Sequence, residues 1–219
     1  MDSAWLFNLG ADVYGWFSAQ AAWRASCGQM AARLEGIDEG LIADLGCGPG
    51  VSTFELARHL PNARLLGVDI APRMLNEARR RRRKADLRAA HITWLLADAA
   101  RLPLKAASLD ACTGHSFLYL VANRRAVLRE IQRVLKPGGR LVLMEPNERP
   151  ATISQVLRVS RDPRHVFSVS LWRPFSRLHG RFSRTSLAAT LERAGFVNCQ
   201  VGETLGGLGL LAAASTPTS

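Results

Sequence analysis

The sequence predicts a doubly wound α/β fold, in which helices cover both faces of a mostly parallel sheet. Short apolar runs typical of strands alternate with apolar stripes of helical period between residues 41 and 144. A glycine-rich turn joins the first strand to a helix, and two further strands, at 196–201 and 208–214, are expected to close the chain as a hairpin. We predict one domain with four parts, namely a helical N-terminal cover, a core, a cap, and a C-terminal helix with the hairpin: 1–36, 37–146, 147–184 and 185–219.

The composition indicates an ordinary globular chain. With 219 residues and 47% hydrophobic content, it can bury a sizeable core. The four cysteines (27, 47, 112 and 199) have no metal-ligand spacing, so we expect buried, reduced thiols, no metal and a cytoplasmic protein. The start of the chain has no basic region typical of a signal peptide, and no apolar run is long enough to predict a spanning helix.

The charge balance favours an anionic partner. There are 29 Lys and Arg residues against 18 Asp and Glu residues, a net charge of +11. Nucleic acid and an acidic membrane surface both fit this charge, and an arginine-rich genome would also produce part of it.

The glycine turn is the first candidate for a binding site. Gly46, Gly48 and Gly50 follow the strand at every second position, which allows positive φ angles and the close approach of a ligand. This spacing differs from the G-x-G-x-x-G dinucleotide fingerprint, and no Gly-Lys-Ser/Thr follows, which excludes a Walker loop. The pattern therefore indicates a nucleotide site, with an ordinary strand-to-helix turn as the alternative.

Later strand ends also carry polar side chains. A helix at 51–60 precedes a strand at 65–69, whose last residue, Asp69, is placed to accept both hydroxyls of a ribose. The next helix starts near Pro72 and ends in six cations, 79–84, which suit either a solvated helix end or an anion patch. A third strand at 91–98 ends on Asp98.

The fourth strand, at 109–113, leads to the only titratable side chain expected at the crevice, His115. A neutral imidazole there could take a proton from a hydroxyl, phenol or enol. Packing, or a hydrogen bond to a backbone carbonyl, is the alternative. Asn123 then caps a helix that ends at the turn 136–139, before a fifth strand at 140–144.

Four segments together resemble the class I S-adenosylmethionine (SAM) dependent methyltransferases. They are DLGCGPG, VDIAPRML, ADAARLPL and RVLKPGGRLVLMEP, in the order of that family. The resemblance covers about four-fifths of the chain and is greatest to the small-molecule branch that methylates ubiquinone and menaquinone precursors at carbon. It implies a Rossmann-like seven-stranded sheet with an antiparallel last strand, and SAM as the cofactor.

The resemblance also implies which residues contact SAM. His115 and Tyr14 are candidate catalytic residues, and Tyr14 would cover the sulfonium. Arg24, after Trp23, would face the methionine carboxylate. The other implied cofactor contacts are Asp44, Gly46, Cys47, Gly48, Gly50, Asp69, Ile70, Met74, Asp98, Ala99 and His115. The segment after the fourth strand lacks the Asp/Asn-Pro-Pro-aromatic motif of base-modifying amino methyltransferases, which argues against adenine and cytosine N-methylation.

The cap at 147–184 holds eight arginines against two acidic residues, interleaved with Phe and Trp. This pattern suits an anionic membrane surface or RNA, and a plain cover over the substrate pocket is the alternative. We expect a methyltransferase that acts on a small lipophilic acceptor (a quinone, isoprenoid, tetrapyrrole or phospholipid), releases S-adenosylhomocysteine and lies in the cytoplasm, in part at the membrane. The alternatives are an RNA-directed enzyme and a SAM-binding protein without catalysis.

Overall fold

The structure is a computed structural model that describes residues 20–85 and 90–218. Between residues 41 and 146 helices and strands alternate as predicted, and the cap contains two helices. The elements of the described chain are α1 Ala21–Ala32, β1 Leu41–Leu45, α2 Val51–His59, β2 Arg64–Asp69, α3 Pro72–Arg82, β3 His91–Leu96, β4 Leu109–His115, α4 Arg124–Val134, β5 Leu135–Pro146, α5 Ile153–Val159, α6 Pro163–His179, α7 Arg184–Arg193, β6 Val197–Thr204 and β7 Gly209–Ser215.

The described strands form one seven-stranded sheet in the order β3-β2-β1-β4-β5-β7-β6. Strands β1 to β5 run parallel, and β7 lies antiparallel between β5 and β6. This confirms the predicted fold class, including the antiparallel last strand. The chain leaves β1 towards β2 but later returns to pair β4 with β1, which creates a switch point where α/β sheets open a crevice.

One turn differs from its prediction. The segment 136–139 lies within the bounds of β5, because Leu135 already pairs with Leu109 and Arg140 then pairs with Ala111. The residues between them bulge out of the ladder, and Gly138 takes a φ of 71° there. The turn between α4 and the strand is therefore shorter than the sequence pattern indicates.

Helices cover both faces of the sheet. On one face, α4 and α7 bury Val127, Ile131 and Leu187 against the strands. On the other, α1 and α6 bury Met30 and Trp172, and α2 packs beside them. The two faces explain why the central strands are almost wholly apolar and why α4 carries a single apolar stripe.

A buried carboxylate fixes the turn after β4. Glu145, near the end of β5, is fully buried and accepts hydrogen bonds from the backbone N–H groups of Phe117 (3.2 Å), Leu118 (2.7 Å) and Tyr119 (3.0 Å). Burial raises the pKa of Glu145 to about 7, and the three amides and the nearby Arg124 oppose that rise. The carboxyl therefore anchors the turn but is costly to ionise.

Glu145 should make folding stability depend on pH. Since its pKa is higher in the folded chain, the folded state holds this proton more tightly, and the contribution of Glu145 to stability falls as pH rises from about 4.5 to about 7, by at most about 1.4 kcal/mol per pH unit. Glu145→Gln removes the titration. Urea unfolding should therefore show that the free energy of unfolding of the wild type falls relative to that of the variant as pH rises over this range.

Glu148→Gln is the matched control, because Glu148 is an exposed carboxylate just beyond the same strand. Its pH profile should follow the wild type. If the free energies of unfolding of the wild type and Glu145→Gln changed in parallel with pH, the raised pKa of Glu145 would be contradicted.

Candidate functional site

A cavity of about 370 Å³ opens at the carboxyl ends of the parallel strands. The strands β2 and β4 and the segments that follow β1, β2, β3 and β4 supply its lining. The structure brings together in this lining eight of the residues that the sequence predicts for a site: Gly46, Gly48, Asp69, Ile70, Met74, Asp98, Ala99 and His115.

Asp69 is the carboxylate at the centre of this lining. One of its oxygens, Oδ2, accepts from the Gly48 N–H (2.8 Å), and Oδ1 accepts from the Ala71 N–H (2.8 Å). Burial raises the pKa of Asp69, and these backbone hydrogen bonds oppose the rise. These hydrogen bonds leave part of the acceptor capacity of the carboxylate unused, so it can accept a hydrogen bond from a ligand hydroxyl.

The glycine turn closes one wall of the cavity. Gly46 has a φ of 62° and Gly48 a φ of 52°. A Cβ on Gly46 would lie 2.5 Å from Cδ2 of Phe117, which also lines the cavity. The turn and the segment after β4 thus approach each other more closely than any other residue at position 46 would allow.

Three residues of the glycine turn region do not line this cavity. Asp44 is fully buried and accepts hydrogen bonds from the hydroxyls of Ser52, Thr53 and Thr113, so it holds the turn in place. Gly50 precedes α2 with a φ of 86°. Cys47 lines a much smaller cavity of about 20 Å³ together with Trp23 and His115. A contact of these residues with a cofactor stays a prediction.

The far end of the cavity is apolar with one carboxylate. Ile70 is 51% exposed, a high value for a large aliphatic side chain, and it presents a flat apolar wall beside the buried Met74. Asp98 is exposed and accepts from the Ala100 N–H (2.8 Å), and Ala99 is buried next to it. This end can hold a planar ring with a polar edge.

Arg24 lies apart from both cavities. Its Nε donates to Glu55 Oε1 (2.6 Å), and Arg58 shares the same oxygen. A contact of Arg24 with a ligand carboxylate stays a prediction. Tyr14 lies outside the described residues.

His115 lies between the two cavities and lines both. Its Nε2 is 2.7 Å from the Ser26 hydroxyl, which in turn lies 2.7 Å from the Trp23 carbonyl oxygen. A carbonyl only accepts, so the single hydroxyl proton goes to Trp23, and His115 Nε2–H must donate to Ser26. The other nitrogen, Nδ1, is then the unprotonated, basic one.

Burial lowers the pKa of His115 to about 3, so the imidazole is neutral at physiological pH. A neutral ring can accept a hydrogen bond from an acceptor hydroxyl, but a base with so low a pKa holds a full proton weakly. The hydrogen-bond partner of His115 in the structure is the Ser26 hydroxyl, a contact that the sequence did not predict.

Sequence reasoning missed two further residues at the cavity. Ser116 has a φ of 54°, and its buried Oγ has no hydrogen-bond partner among the described residues. Phe117 packs on Gly46 as described above. The only sequence signal for these two residues was their position directly after His115, because no sequence pattern predicts a positive φ at a serine.

In the described parts of the chain, no three His, Cys, Asp or Glu side chains lie close enough to hold a metal ion. Nor does any described helix combine the length and the apolar character needed to cross a membrane.

Comparison with known proteins identifies the domain. Residues 42–139 match a family model described as a methyltransferase domain. A demethylmenaquinone methyltransferase of Thermus thermophilus is 37% identical over 129 residues, which cover 59% of this chain and 56% of the relative. An uncharacterized 37.1 kDa protein of transposon TN4556 from Streptomyces fradiae is 41% identical over 126 residues, covering 56% of this chain and 35% of the relative. The chain thus spans between about a third and just over half of these relatives.

The fold has close counterparts among solved structures. A putative S-adenosylmethionine-dependent methyltransferase of Methanococcus maripaludis superposes with a TM-score of 0.71 at 19% identity, over 97% of this chain and 94% of that one. Residues 42–139 thus match a methyltransferase domain, and the seven-stranded sheet has the fold of solved SAM-dependent methyltransferases.

Proposed function

We propose that this protein transfers the methyl group of SAM to a small, lipophilic acceptor and releases S-adenosylhomocysteine. One observation carries the proposal: the main cavity gathers Asp69, the glycine turn and the apolar wall at Ile70 around one space. The similarity to a demethylmenaquinone methyltransferase supports a small-molecule acceptor of the quinone type.

The residues present fit SAM. Asp69 would accept the ribose hydroxyls, Ile70 and Met74 would pack on the adenine, and Asp98 would receive its amino group. Gly46 and Gly48 would border the cofactor along the turn after β1. When bound, SAM supplies a methyl group that its sulfonium has already activated.

The chain then mainly has to align the acceptor and exclude water. His115 is buried and neutral, and its Nδ1 lone pair could accept a hydrogen bond from an acceptor hydroxyl. We therefore infer that His115 positions the acceptor, and that it takes a proton only from a group that becomes acidic as the methyl is transferred.

The outer face of the cap supports contact with a membrane. On α5 and α6, Ile153 is 79% exposed and Leu178 is 84% exposed. Leu157, Phe167 and Leu171 are exposed on the same two helices, and exposed arginines at 158, 161 and 177 lie among them. Apolar side chains beside cations suit the headgroup region of an anionic bilayer. We propose peripheral binding of an anionic membrane through this face, with nucleic acid as the less favoured partner.

Asp69→Ala should weaken the binding of S-adenosylhomocysteine at least tenfold, because a charge-assisted hydrogen bond worth about 1.4 kcal/mol or more is lost. Isothermal titration calorimetry measures the affinity. Asp162→Ala, which removes a carboxylate from the cap, is the control and should bind as the wild type does. Unchanged affinity in Asp69→Ala would refute the ribose placement.

Turnover tests the acceptor class. We expect release of S-adenosylhomocysteine when SAM is offered with a membrane-lipid extract, and little release with total RNA. Mass spectrometry of the methylated product then identifies the acceptor. Turnover with RNA alone would make the cap a nucleic-acid clamp and overturn the lipophilic assignment.

Vesicle sedimentation tests the membrane face. The wild type should pellet with vesicles of phosphatidylglycerol and phosphatidylcholine, and Ile153→Ser/Leu178→Ser should remain largely in the supernatant. Val197→Ser is the control, since Val197 is exposed on β6 and not on the cap. Equal pelleting of all three proteins, or none by the wild type, would contradict membrane binding through the cap.

A further inference from the structure

One buried hydrogen bond joins the covering helix α1 to the wall of the main cavity. The hydroxyl oxygen of Ser26, on α1, lies 2.7 Å from Nε2 of His115, which ends β4 and lines that cavity. Ser26 is 1% exposed and His115 is 8% exposed. A hydrogen bond shielded from water is stronger than one exposed to it. The covering helix therefore acts on a residue of the site as well as packing on the sheet.

Packing alone does not account for a serine at this position of α1. The other buried residues of the helix are apolar: Ala22, Trp23, Cys27, Met30 and Ala31. Alanine would fill the position of Ser26 with a higher helix propensity and without a polar atom that needs a partner. What alanine could not supply are the two hydrogen bonds of the hydroxyl, one to His115 and one to the backbone of α1.

These two hydrogen bonds fix the position of the proton on the imidazole. The Ser26 hydroxyl lies 2.7 Å from the carbonyl oxygen of Trp23, which only accepts, so the single hydroxyl proton is directed there. A lone pair of Ser26 then receives Nε2–H of His115. Nδ1 has no hydrogen bond within the described residues and keeps its lone pair. The backbone of α1 thus selects the tautomer of His115.

A second contact from α1 restricts the orientation of the same ring. The centroid of the Trp23 ring lies 5.2 Å from that of the His115 imidazole, and the two planes make an angle of 52°. Trp23 and Ser26 are three residues apart, so both contacts come from one face of the helix. The tautomer and the orientation of the imidazole therefore both depend on α1.

The tautomer decides what His115 can do at the cavity. With the lone pair on Nδ1, the ring accepts a hydrogen bond from an O–H group, whereas a proton on Nδ1 would make it a donor to a carbonyl oxygen. We propose that Ser26 is a positioning residue. Its hydroxyl holds the His115 imidazole with the proton on Nε2, so that Nδ1 receives the hydroxyl group of a phenol, enol or quinol acceptor. As a step in methyl transfer, this role rests on the proposed function.

Nitrogen-15 NMR of the histidine rings tests the tautomer directly. Among the five histidines, His115 is assigned by the signals that are lost in His115→Gln. At neutral pH the wild type should show the proton on Nε2. Ser26→Ala leaves that N–H buried without a partner, so a second tautomer with the proton on Nδ1 should appear in at least about a fifth of the molecules. Ser26→Thr keeps a hydroxyl and should retain the wild-type spectrum.

Ser176→Ala is the matched control. Ser176 is a buried serine on α6 that donates to the carbonyl of Arg173, three residues earlier (3.0 Å), and accepts from Arg181 instead of a histidine. The substitution removes a hydroxyl of the same kind and should leave the His115 spectrum unchanged. Alanine favours a helix at both positions, so both variants should fold and bind S-adenosylhomocysteine as the wild type does.

Turnover with the membrane-lipid extract then tests the role in catalysis. Ser26→Ala should release S-adenosylhomocysteine at least about fivefold more slowly than the wild type, and Ser26→Thr and Ser176→Ala should stay within about twofold of it.

A proton on Nδ1 in the wild type would overturn the proposal, as would a wild-type ring spectrum or full turnover in Ser26→Ala. No turnover by the wild type would refute the proposed acceptor class alone, because the ring spectra decide the role of Ser26 without any acceptor.

Discussion

The cavity depends on the requirement that a buried carboxylate be fully hydrogen-bonded. Asp44 meets it with three hydroxyls, which tie β1 to the first turn of α2 and to β4. Glu145 meets it with three backbone amides, which tie β5 to the turn after β4. Loss of any of these partners would leave a buried carboxyl oxygen with one hydrogen bond fewer. The two loops that wall the cavity are therefore held by the protein itself, before any ligand binds.

The polarity of the site changes along its length. At one end, Asp69 and Asp98 present carboxylates with free lone pairs. At the other end, His115 is neutral, its partner is a hydroxyl, and the ring of Trp23 packs against it. A polar nucleoside suits the first end and an uncharged aromatic molecule suits the second. This gradient follows from sheet topology, because strand ends supply the carboxylates and covering helices supply the aromatic rings.

Local signals allowed much of this to be predicted from the sequence. The Asn123 cap, the strand that ends at Asp69 and the helix after the glycine turn depend on residues within a few positions of each other, and the structure agrees with them. The side-chain contacts of the covering helices are between distant residues. Ser26 and His115 are 89 positions apart, and Gln20 and His165 are 145 apart. Neither pair leaves a pattern in a single sequence, because the packing of α1 and α6 on the sheet decides which side chains meet.

The helix α6 has chemically different faces, and both differ from those of a plain cover. Its inner face buries His165, Val169 and Trp172 against α1, while Phe167, Leu171 and Leu178 point outward. A helix that served only as a cover would need an apolar inner face and a polar outer one. Under the proposed function, the exposed apolar side chains would instead rest on the bilayer in which a lipophilic acceptor dissolves. The apolar outer face is thus the feature that distinguishes this helix from a plain cover.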